Sequence, residues 1–401
     1  MISTIFLIKA ILVLNINTSI KFLSLGCFGL VILAIIYYLY CLFSAQLFFQ
    51  TSQNSEDNFT PAISILKPLC GLEAGLEQNL ISFINQKYPQ YQIIFCVRDP
   101  EDPVIELVEK LIEKFPNQDL KLVIDDRLIG HNYKVSNLAN GLPYCKYDLI
   151  LIADSDIEVR EDYLRSIVQP LKSEKVGVVT CLYQSQGNQL IDIFEALNVT
   201  SNFIPSVLVG QQIEGINYAF GSTILIRKQI LTQIGNFKEL ANSLADDFLL
   251  GNLATQAGYE ISLSNYIVQH HIANETFFDY CARQIRWYRC IKVQRFFGYC
   301  GMIITQGTIV SLLFVLVTHE SNLSLWLLLV TIFIRLFMTY LVAVKNLQNP
   351  TVSKYLPLVF LVDIVSFGLW LSAFWGNKVK WRNHTFILDR HGKLKLSSRS
   401  H

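Results

Sequence analysis

The stretch LILIADSDIEV, Leu149–Val159, joins an aliphatic run directly to two aspartates, Asp154 and Asp156. The aliphatic part has the length and composition of a buried strand. Carboxylates repel each other and resist burial, so a pair of them at the end of such a strand indicates a positive partner. Aspartates spaced i, i+2 at a strand-to-loop junction can ligate Mg²⁺ or Mn²⁺, and these cations also take phosphate oxygens. The alternative is a solvated turn, which the preceding buried strand disfavours.

Apolar runs of the same kind alternate with amphipathic helical patterns through the middle of the chain. The predicted strands are Ala62–Leu66, Tyr91–Val97, Leu120–Ile124, Asp148–Ala153 and Val176–Tyr183. This alternation predicts an α/β fold with a mostly parallel sheet, in which ligands bind at the carboxyl ends of the strands. The sequence has no glycine-rich phosphate loop of either common type, so a metal ion and basic side chains would have to neutralise any phosphates.

The chain is too apolar for an ordinary soluble enzyme, since 52% of its 401 residues are hydrophobic and 16% are charged. Phe22–Ser55 contains no Asp, Glu, Lys or Arg, and it exceeds the roughly 20 residues that span a bilayer. We therefore expect a retained N-terminal anchor rather than a cleaved signal peptide. The preceding stretch, Thr4–Leu14, is short and holds Lys9, so we expect it to lie at the membrane interface.

Three more apolar segments, Phe296–Thr318, Leu323–Val344 and Tyr355–Trp375, follow the middle of the chain. The second holds one charged residue, Arg335, and the third holds Asp363; such charges serve either function or helix packing. We divide the chain into an N-terminal anchor (1–50), a globular middle region (51–295), C-terminal membrane helices (296–377) and a basic tail (378–401).

The net charge and the cysteines indicate which binding partners and which cellular compartment to expect. A net charge of +1 gives no reason to expect nucleic acid. The nine cysteines include no CxxC pair, which excludes a zinc ribbon and fits a reducing compartment. Basic residues at Arg283–Arg295 and in the tail favour the cytoplasmic side for both, and we expect a multi-pass protein with a cytoplasmic middle region. If all three C-terminal apolar segments crossed the membrane, Arg283–Arg295 and the tail would lie on opposite sides. Either one of these segments is therefore re-entrant or interfacial, or the tail lies outside.

Other polar residues are candidates for the same site, each with a plainer alternative. Asp99 follows the second strand, where it either accepts hydrogen bonds from a nucleobase or ribose or caps the next helix. Asp246 and Asp247 begin an amphipathic helix, where a carboxylate is either a helix cap or a general base for an acceptor hydroxyl. Lys134 either approaches a phosphate or begins a solvated helix.

The segment RQIRW, Arg283–Trp287, is a further candidate. Arg283 and Arg286 are spaced i, i+3, so one helix face would present both guanidinium groups to a pyrophosphate, with Trp287 as an aromatic wall. The alternative is a basic flank to the next membrane segment. His270 and His271 either ligate a metal or are ordinary histidines at a strand end.

Taken together, these residues resemble a membrane glycosyltransferase of the GT-A fold, and most nearly glycosyltransferase family 21, the ceramide glucosyltransferases, beside the large family 2. That family has a first Asp, a second acidic site, a third Asp and (Q/R)xxRW, in this order. The matching residues here are Asp99, the DSD at Asp154–Asp156, Asp247 in LADDF, and RQIRW. The segments KPLCGLE (Lys67–Glu73) and YKVSNLANGL (Tyr133–Leu142) are also similar, and the likeness covers Ile63–Arg295 and the membrane layout.

The resemblance implies an inverting enzyme that uses Mg²⁺ or Mn²⁺ to move a hexose, foremost glucose, from a UDP-sugar to the hydroxyl of a membrane lipid. It implies these roles: Asp99 at the uridine, Asp154 and Asp156 at the metal and diphosphate, Asp247 as base, and Arg283, Arg286 and Trp287 at the diphosphate and acceptor entrance. We also expect Lys134 and Asp246 to bind the substrate. Eukaryotic ceramide enzymes keep only the first Asp of the second site. The complete DSD therefore leaves ceramide-like lipids, hopanoids and diacylglycerol open as acceptors.

Several alternatives remain open from the sequence. The segment Leu190–Gln212 is either an ordinary core helix or one whose apolar residues Ile191, Phe194, Leu197 and Ile204 rest on the membrane. A processive polysaccharide synthase usually carries Gln where Arg283 stands and has more spans. A catalytically inactive membrane scaffold would not need acids at all three sites, and a transporter would leave the middle region unexplained.

Overall fold

The computed structural model describes residues 2–50, 58–272, 275–381, 384–389 and 391–396. The chain begins with one long helix, α1 (Ile2–Gln50). The predicted interfacial stretch Thr4–Leu14 belongs to this same helix, and its side chains lie outside the described part of the structure. The candidate membrane span within α1 is Ser19–Gln50.

An eight-stranded mixed sheet forms the centre of the middle region, in the order β3-β2-β1-β4-β7-β6-β8-β5. Its strands are β1 (Ile63–Leu69), β2 (Tyr91–Val97), β3 (Leu120–Ile124), β4 (Leu149–Ala153), β5 (Ile157–Glu158), β6 (Val176–Ser185), β7 (Thr223–Arg227) and β8 (Glu260–His270). Strands β1 to β4 are parallel, as are β6 and β8, whereas β7 and β5 run antiparallel to their neighbours. The predicted α/β fold with a mostly parallel sheet is confirmed, although β1 continues three residues past its predicted end at Leu66.

Helices pack on both faces of this sheet, which is why its central strands are apolar without alternation. Successive residues of β2 enter different cores: Ile93 packs in the cluster on one face and Ile94 in the cluster on the other. The helices are α2 (Leu76–Ile84), α3 (Val104–Lys114), α4 (Tyr133–Gly141), α5 (Tyr163–Ile167), α8 (Lys228–Gln233), α9 (Asn236–Leu240) and α10 (Asp246–Gln256).

A helical segment connects β6 to β7. It consists of α6 (Leu190–Asn198), a π-helical turn (Val199–Phe203) and α7 (Ile204–Glu214). The segment is long and apolar enough to cross a membrane, but most of it is buried inside the protein. Because β6 and β7 pair with each other in the sheet, both ends of the segment lie on the same side of any membrane.

The prediction that the apolar residues of this segment rest on the membrane is wrong. Its four residues Ile191, Phe194, Leu197 and Ile204 are all buried against other parts of the protein. The alternative, a helix in the protein interior, is therefore correct. Phe194, for example, packs edge-on against Phe277 at the start of the helix that carries RQIRW.

The C-terminal third contains further long apolar helices. Its elements are α11 (Phe277–Gln294), α12 (Phe296–Gly301), α13 (Gly307–Val317), α14 (Asn322–Thr339), α15 (Pro350–Tyr355) and α16 (Val359–Ser372), and a π-helical stretch, Tyr340–Asn346, extends α14. Besides α1 and the α6–α7 segment, two stretches, Asn322–Asn346 and Pro350–Ser372, are long and apolar enough to cross a membrane. The predicted segment Phe296–Thr318 is not straight, because its two helices are bent by 66°.

One buried ion pair joins these helices to the π-helical turn. Arg335 on α14 lies 2.6 Å from Asp363 on α16, and it also donates to the backbone oxygen of Ser201 and the side-chain oxygen of Asn202. Asp363 accepts a hydrogen bond from Thr308 on α13. The sequence leaves open whether Arg335 and Asp363 serve function or helix packing, and the structure shows that they join packed helices.

The basic tail forms a separate three-stranded antiparallel sheet, here called the C-terminal sheet. Its strands are β9 (Lys378–Trp381), β10 (His384–Leu388) and β11 (Leu394–Leu396), in the order β11-β10-β9. Lys393, just before β11, pairs with Ser243 of the middle region. The tail therefore lies beside the middle region.

Helix α10 can occupy its position only because residue 251 is glycine. A Cβ at Gly251 would lie 2.5 Å from the backbone nitrogen of Ala219 and 2.6 Å from the carbonyl carbon of Tyr218. Backbone atoms cannot yield as a flexible side chain can, so we expect Gly251→Ala to lower the free energy of unfolding by about 1–3 kcal/mol. Chemical or thermal unfolding of the purified protein measures this. Asn252→Ala, at the next residue of the same helix, is the matched control, and equal stability of the two variants would contradict the prediction.

Candidate active site

Four predicted site residues meet beyond the carboxyl end of β4. The Lys134 Nζ lies 2.5 Å from Asp154 Oδ1 and 3.9 Å from Asp246 Oδ2. The backbone N–H of Gly221 donates to Asp247 Oδ2 at 2.8 Å. A Cβ built on Gly221 would lie 3.2 Å from Asp247 Oδ2, 3.6 Å from Asp154 Oδ2 and 3.6 Å from Lys134 Nζ. The structure therefore brings three acids and one lysine into a single cluster around Gly221.

Lys67, at the end of β1, belongs to this cluster, although the sequence patterns do not single it out as a site residue. Its side chain is fully buried, and its ammonium group donates to the backbone oxygen of Asp154 at 2.6 Å. Burial lowers the pKa of Lys67 to about 7, against the opposing effect of Asp154 and Asp156. A lysine inside a buried apolar strand is unusual and could have identified Lys67 as a site residue. Because the predicted strand ends at Leu66, Lys67 falls outside it and this signal is missed.

Asp156 has a histidine partner that the sequence leaves ambiguous. The His270 Nε2 lies 3.4 Å from Asp156 Oδ2, and the other ring nitrogen lies 3.0 Å from Ser185 Oγ. Burial acts to raise the pKa of Asp156, but His270 and the nearby lysines outweigh it and hold that pKa below its usual value. Its neighbour His271 points elsewhere and pairs with Glu158.

Asp154 and Asp156 suit a divalent cation. They are hard oxygen donors one residue apart, and their side chains are 30% and 37% exposed. Within the described residues, no ready-made group of three or more His, Cys, Asp or Glu side chains surrounds one point. A cation held by these two aspartates would complete its coordination with water or phosphate oxygens, as Mg²⁺ commonly does.

Asp247 has the properties of a general base. Burial, reinforced by the neighbouring Asp246, raises the pKa of Asp247 to about 6. Its oxygens accept hydrogen bonds from the backbone N–H groups of Gly221 and Phe248. The residue at the N-cap position of α10 is Ala245, so helix capping does not account for Asp247. A carboxylate with a pKa close to neutral is well matched to accepting a proton at physiological pH.

Asp99 lies at the same edge of the sheet, but apart from the cluster. It follows β2, is exposed, and accepts a hydrogen bond from the backbone N–H of Glu101 at 3.0 Å. The N-cap residue of α3 is Pro103, and Asp102 rather than Asp99 accepts from Val104 N, at 2.9 Å. No hydrogen bond or ion pair joins Asp99 to Asp154 in the part of the chain that the structure describes.

Arg283 has a packing role that the sequence does not predict. Its guanidinium group lies 3.0 Å from Glu195 on α6 and 3.0 Å from Glu275, with the ring of Trp287 5.1 Å away. Glu195 is fully buried and also accepts a hydrogen bond from Gln284. The predicted helix is present, since α11 begins with a capping box at Thr276, but this arginine is already engaged by two carboxylates.

Arg286 is the arginine of the motif with an electrostatic link to the site acids. Its side chain is partly buried on α11. Burial lowers the pKa of Arg286, and the charge of Arg283 acts in the same direction, while Asp246 acts to raise it. Asp246 is thus one of the charged groups that act on Arg286.

The sheet and the site define a glycosyltransferase of the GT-A class. The fold is similar to that of the mannosyltransferase PcManGT from Pyrobaculum calidifontis, solved in complex with GDP-Man and Mn²⁺. The TM-score is 0.55, with 14% sequence identity over 88% of this chain and 99% of that one. At this level of identity the likeness concerns the fold alone.

The family model for glycosyl transferase family 21 matches residues 26–394. The chain belongs to this family, which confirms the predicted resemblance, and it is a glycosyltransferase. It is 29% identical over 233 residues to ceramide glucosyltransferase 1 of Caenorhabditis elegans, covering 58% of this chain and 50% of that protein. It is 24% identical over 348 residues to ceramide glucosyltransferase 3 of the same organism, covering 84% of this chain and 75% of that protein.

The buried pair of Arg283 and Glu195 generates a stability prediction. Arg283→Met alone leaves the fully buried Glu195 without its cationic partner, which costs about 3–5 kcal/mol of unfolding free energy. Glu195→Leu alone leaves Arg283 with its other carboxylate partner, Glu275, and costs less. The double variant removes both charges of the buried pair, so we expect it to be more stable than Arg283→Met and its loss of stability to be smaller than the sum of the two single losses. Unfolding of all four proteins in detergent measures the coupling. Glu106→Gln, which breaks the exposed pair with Lys110, is the control and should change little; additive single effects would contradict the prediction.

Proposed function

We propose that this protein transfers a hexose, foremost glucose, from a UDP-sugar to the hydroxyl of a membrane lipid, with inversion at the anomeric carbon. The observation that carries the proposal is the cluster of the half-buried Asp247 with Asp154 and Lys134 at the end of β4, in which the pKa of Asp247 is raised to about 6. The relatives named ceramide glucosyltransferase and the apolar helices support a lipid as the acceptor.

The donor would bind across the carboxyl ends of the parallel strands, where such sheets bind ligands. Asp154 and Asp156 would hold Mg²⁺ or Mn²⁺, and this cation would stabilise the negative charge that develops on the UDP leaving group. Lys134 and Arg286 add positive charge on the same side. Asp99, exposed beyond β2, is available to the uridine.

A single displacement needs one base and no enzyme nucleophile. The lipid oxygen would attack the anomeric carbon while its proton passes to a carboxylate oxygen of Asp247, and the bond from that carbon to the diphosphate oxygen breaks. Asp154 is less suited to this role because Lys134 lies on it at 2.5 Å. Asp156 is less suited because its pKa is held below the usual value.

The helices next to the site support a lipid as the acceptor. Helix α6 carries Glu195, the partner of Arg283, and packs against α15 and α16, so the apolar helices adjoin the RQIRW segment. A ceramide-like lipid is our first candidate, and a hopanoid or a diacylglycerol remains the alternative. Arg283 stands where polysaccharide synthases carry Gln, and its two carboxylate partners offer no support for a processive synthase.

We further propose a membrane topology in which the tail lies on the same side as the middle region. The pairing of Ser243 with Lys393 supports this. Both ends of Pro350–Ser372 also contact the middle region: Asn349 donates to Ser185 O, and Lys292 donates to Ala373 O. This segment would therefore stay at the near surface of the membrane.

The two crossings that follow the middle region would then be the bent segment Phe296–Val317 and the segment Asn322–Asn346, joined by a short turn at Thr318–Ser321. With the crossing of α1, the protein would cross three times. Basic residues in α11 and in the tail favour the cytoplasm for the shared side.

The activity is tested by incubating purified protein with labelled UDP-glucose, UDP-galactose or UDP-GlcNAc, Mg²⁺ or Mn²⁺, and a total lipid extract. We expect label on a lipid that thin-layer chromatography separates. Asp247→Asn should retain UDP binding and lose at least about 100-fold in kcat, because the acceptor proton has no base. Label found only in free sugar or in a polymer, or near-normal turnover by Asp247→Asn, would contradict the proposal.

The same assay has a pH signature. The base must be deprotonated, so kcat/KM of the wild type should fall about tenfold for each pH unit below a midpoint at the pKa of Asp247, about 6. The residual activity of Asp247→Asn should lack this decline. A midpoint near 4, the pKa of an ordinary exposed aspartate, would contradict the assignment.

Labelling with a membrane-impermeant maleimide tests the topology. In sealed vesicles with the middle region facing outward, the exposed native Cys70 and an introduced Lys395→Cys should both react. Glu320→Cys, in the turn between α13 and α14, should react only after detergent is added. Peptide mapping separates the three sites. Glu320→Cys that reacts without detergent, or Lys395→Cys that is protected, would refute the proposed topology.

A further inference from the structure

The C-terminal sheet extends the backbone of the segment that leads into the proposed base. Leu394 N donates to Asn242 O at 2.8 Å, and Leu244 N donates to Gly392 O at 3.3 Å. These two hydrogen bonds flank the pair of Ser243 and Lys393. The tail thus adds a short antiparallel strand to the segment 242–244, which lies immediately before α10 and its first residues Asp246 and Asp247.

The opposite edge of that segment is held by the loop that precedes Lys134. His131 N donates to Asn242 Oδ1 at 3.0 Å, and Asn132 Nδ2 donates to Ser243 O at 3.0 Å. The side-chain oxygen of Asn132 also caps α4, the helix of Lys134. The segment 242–244 therefore lies between two neighbours, one leading to Lys134 and the other being the tail.

The C-terminal sheet also packs against α11, the helix of Arg286. Its buried apolar side chains form one cluster with Leu244 and with Cys290 and Val293 of α11, and the members from the sheet are Val379, Phe386, Leu388 and Leu394. Cys290 lies one helical turn after Arg286. The cluster therefore joins the segment before Asp247 to the helix of Arg286.

Polar contacts fix α11 to the chain that enters the C-terminal sheet. Arg289 donates to the backbone oxygen of Trp375 at 2.9 Å. Lys292 donates to the backbone oxygens of Ala373 at 2.6 Å and Phe374 at 3.0 Å. These oxygens lie at the carboxyl end of α16, where the helix dipole stabilises a positive charge. These contacts hold about one turn of α11 to the chain that leads into the tail.

We propose that the C-terminal sheet is a positioning element of the active site, which sets the distance between Asp247 and Arg286. This inference rests on the proposed function, in which Asp247 takes the acceptor proton and Arg286 lies at the leaving diphosphate. The two groups would act on opposite sides of the reacting carbon, so a small change in their separation slows the chemical step more than it weakens donor binding. Residues of the sheet act here through Ser243 and α11, without touching the substrate.

Leu394→Asp tests this by placing a charge in the apolar cluster that joins the three elements. We expect kcat to fall at least tenfold while the KM for the UDP-sugar changes less than threefold. Leu394→Met, which keeps the apolar contact, should restore kcat to within twofold of the wild type. Lys395→Ala is the matched control, because this side chain is 68% exposed on the next residue. Leu394→Ala replaces Leu394→Asp if the latter does not yield folded protein, with the same expected direction.

A reversible cross-link supplies the second measurement. Ser243 and Lys393 form a pair between hydrogen-bonded neighbours, where Cα atoms in antiparallel strands lie about 4.5 Å apart, within disulfide range. We expect the disulfide of Ser243→Cys/Lys393→Cys to restore kcat in the Leu394→Asp protein, and reduction to remove it again. Cys70→Ser in all variants removes the exposed native thiol.

The outcomes separate the inference from the proposed function. A wild type that transfers no sugar to any lipid overturns the proposed function and the inference with it. An active wild type with an equally active, folded Leu394→Asp variant overturns the inference alone. The same holds if the lost activity only matches the fraction of protein that is unfolded, or if the cross-link forms without restoring kcat.

Discussion

The active site depends on a balance between negative and positive side chains. The parallel strands bring several carboxylates together at their carboxyl ends, and lysines lie beside them. Asp154 follows a strand that is buried on both faces, and its carboxylate has Asp246 and Asp247 as neighbours. Such a group of like charges is unstable without cations, because burial removes the water that would otherwise screen it. Lys134 supplies a direct partner, and Lys67 reaches the backbone of the same loop. These two lysines neutralise only part of the charge, which leaves the cluster receptive to a divalent ion.

The balance also separates the roles of the acids. Lys134 contacts Asp154, and His270 contacts Asp156, so both carboxylates of the DSD are held close to positive groups. Asp247 has only backbone N–H groups as hydrogen-bond donors in the described structure. Burial raises the pKa of both Asp154 and Asp247, and that of Asp247 reaches about 6. Carboxylates of one cluster thus acquire different proton affinities from their partners, which is how two acids at one site serve different steps.

The sheet and the order of the acids could be predicted because both are local properties of the sequence. Strands β2 and β3 have the predicted bounds, since each apolar run ends at a turn signal. The burial of Glu195 and its pairing with Arg283 could not be predicted, because the two residues are 88 positions apart and the sequence around Arg283 does not indicate which carboxylate it contacts. The contact of Lys393 with Ser243 is equally non-local. Long-range contacts between polar residues leave no periodic trace in a single sequence.

A continuous chain of polar groups links α11 to the apolar helices. Glu195 binds both Arg283 and Gln284, Gln284 accepts from Asn198, and Asn198 accepts from Asn202, which in turn accepts from Arg335. Each group in this chain forms a hydrogen bond with the next. A member left without a partner would lower the free energy of unfolding, because its surroundings are apolar. Helix α6 and its π-helical turn are therefore fixed to α11 on one side and to α14 on the other. In the proposed reaction with a lipid acceptor, this rigid connection would let packing set the height of the active site above the bilayer.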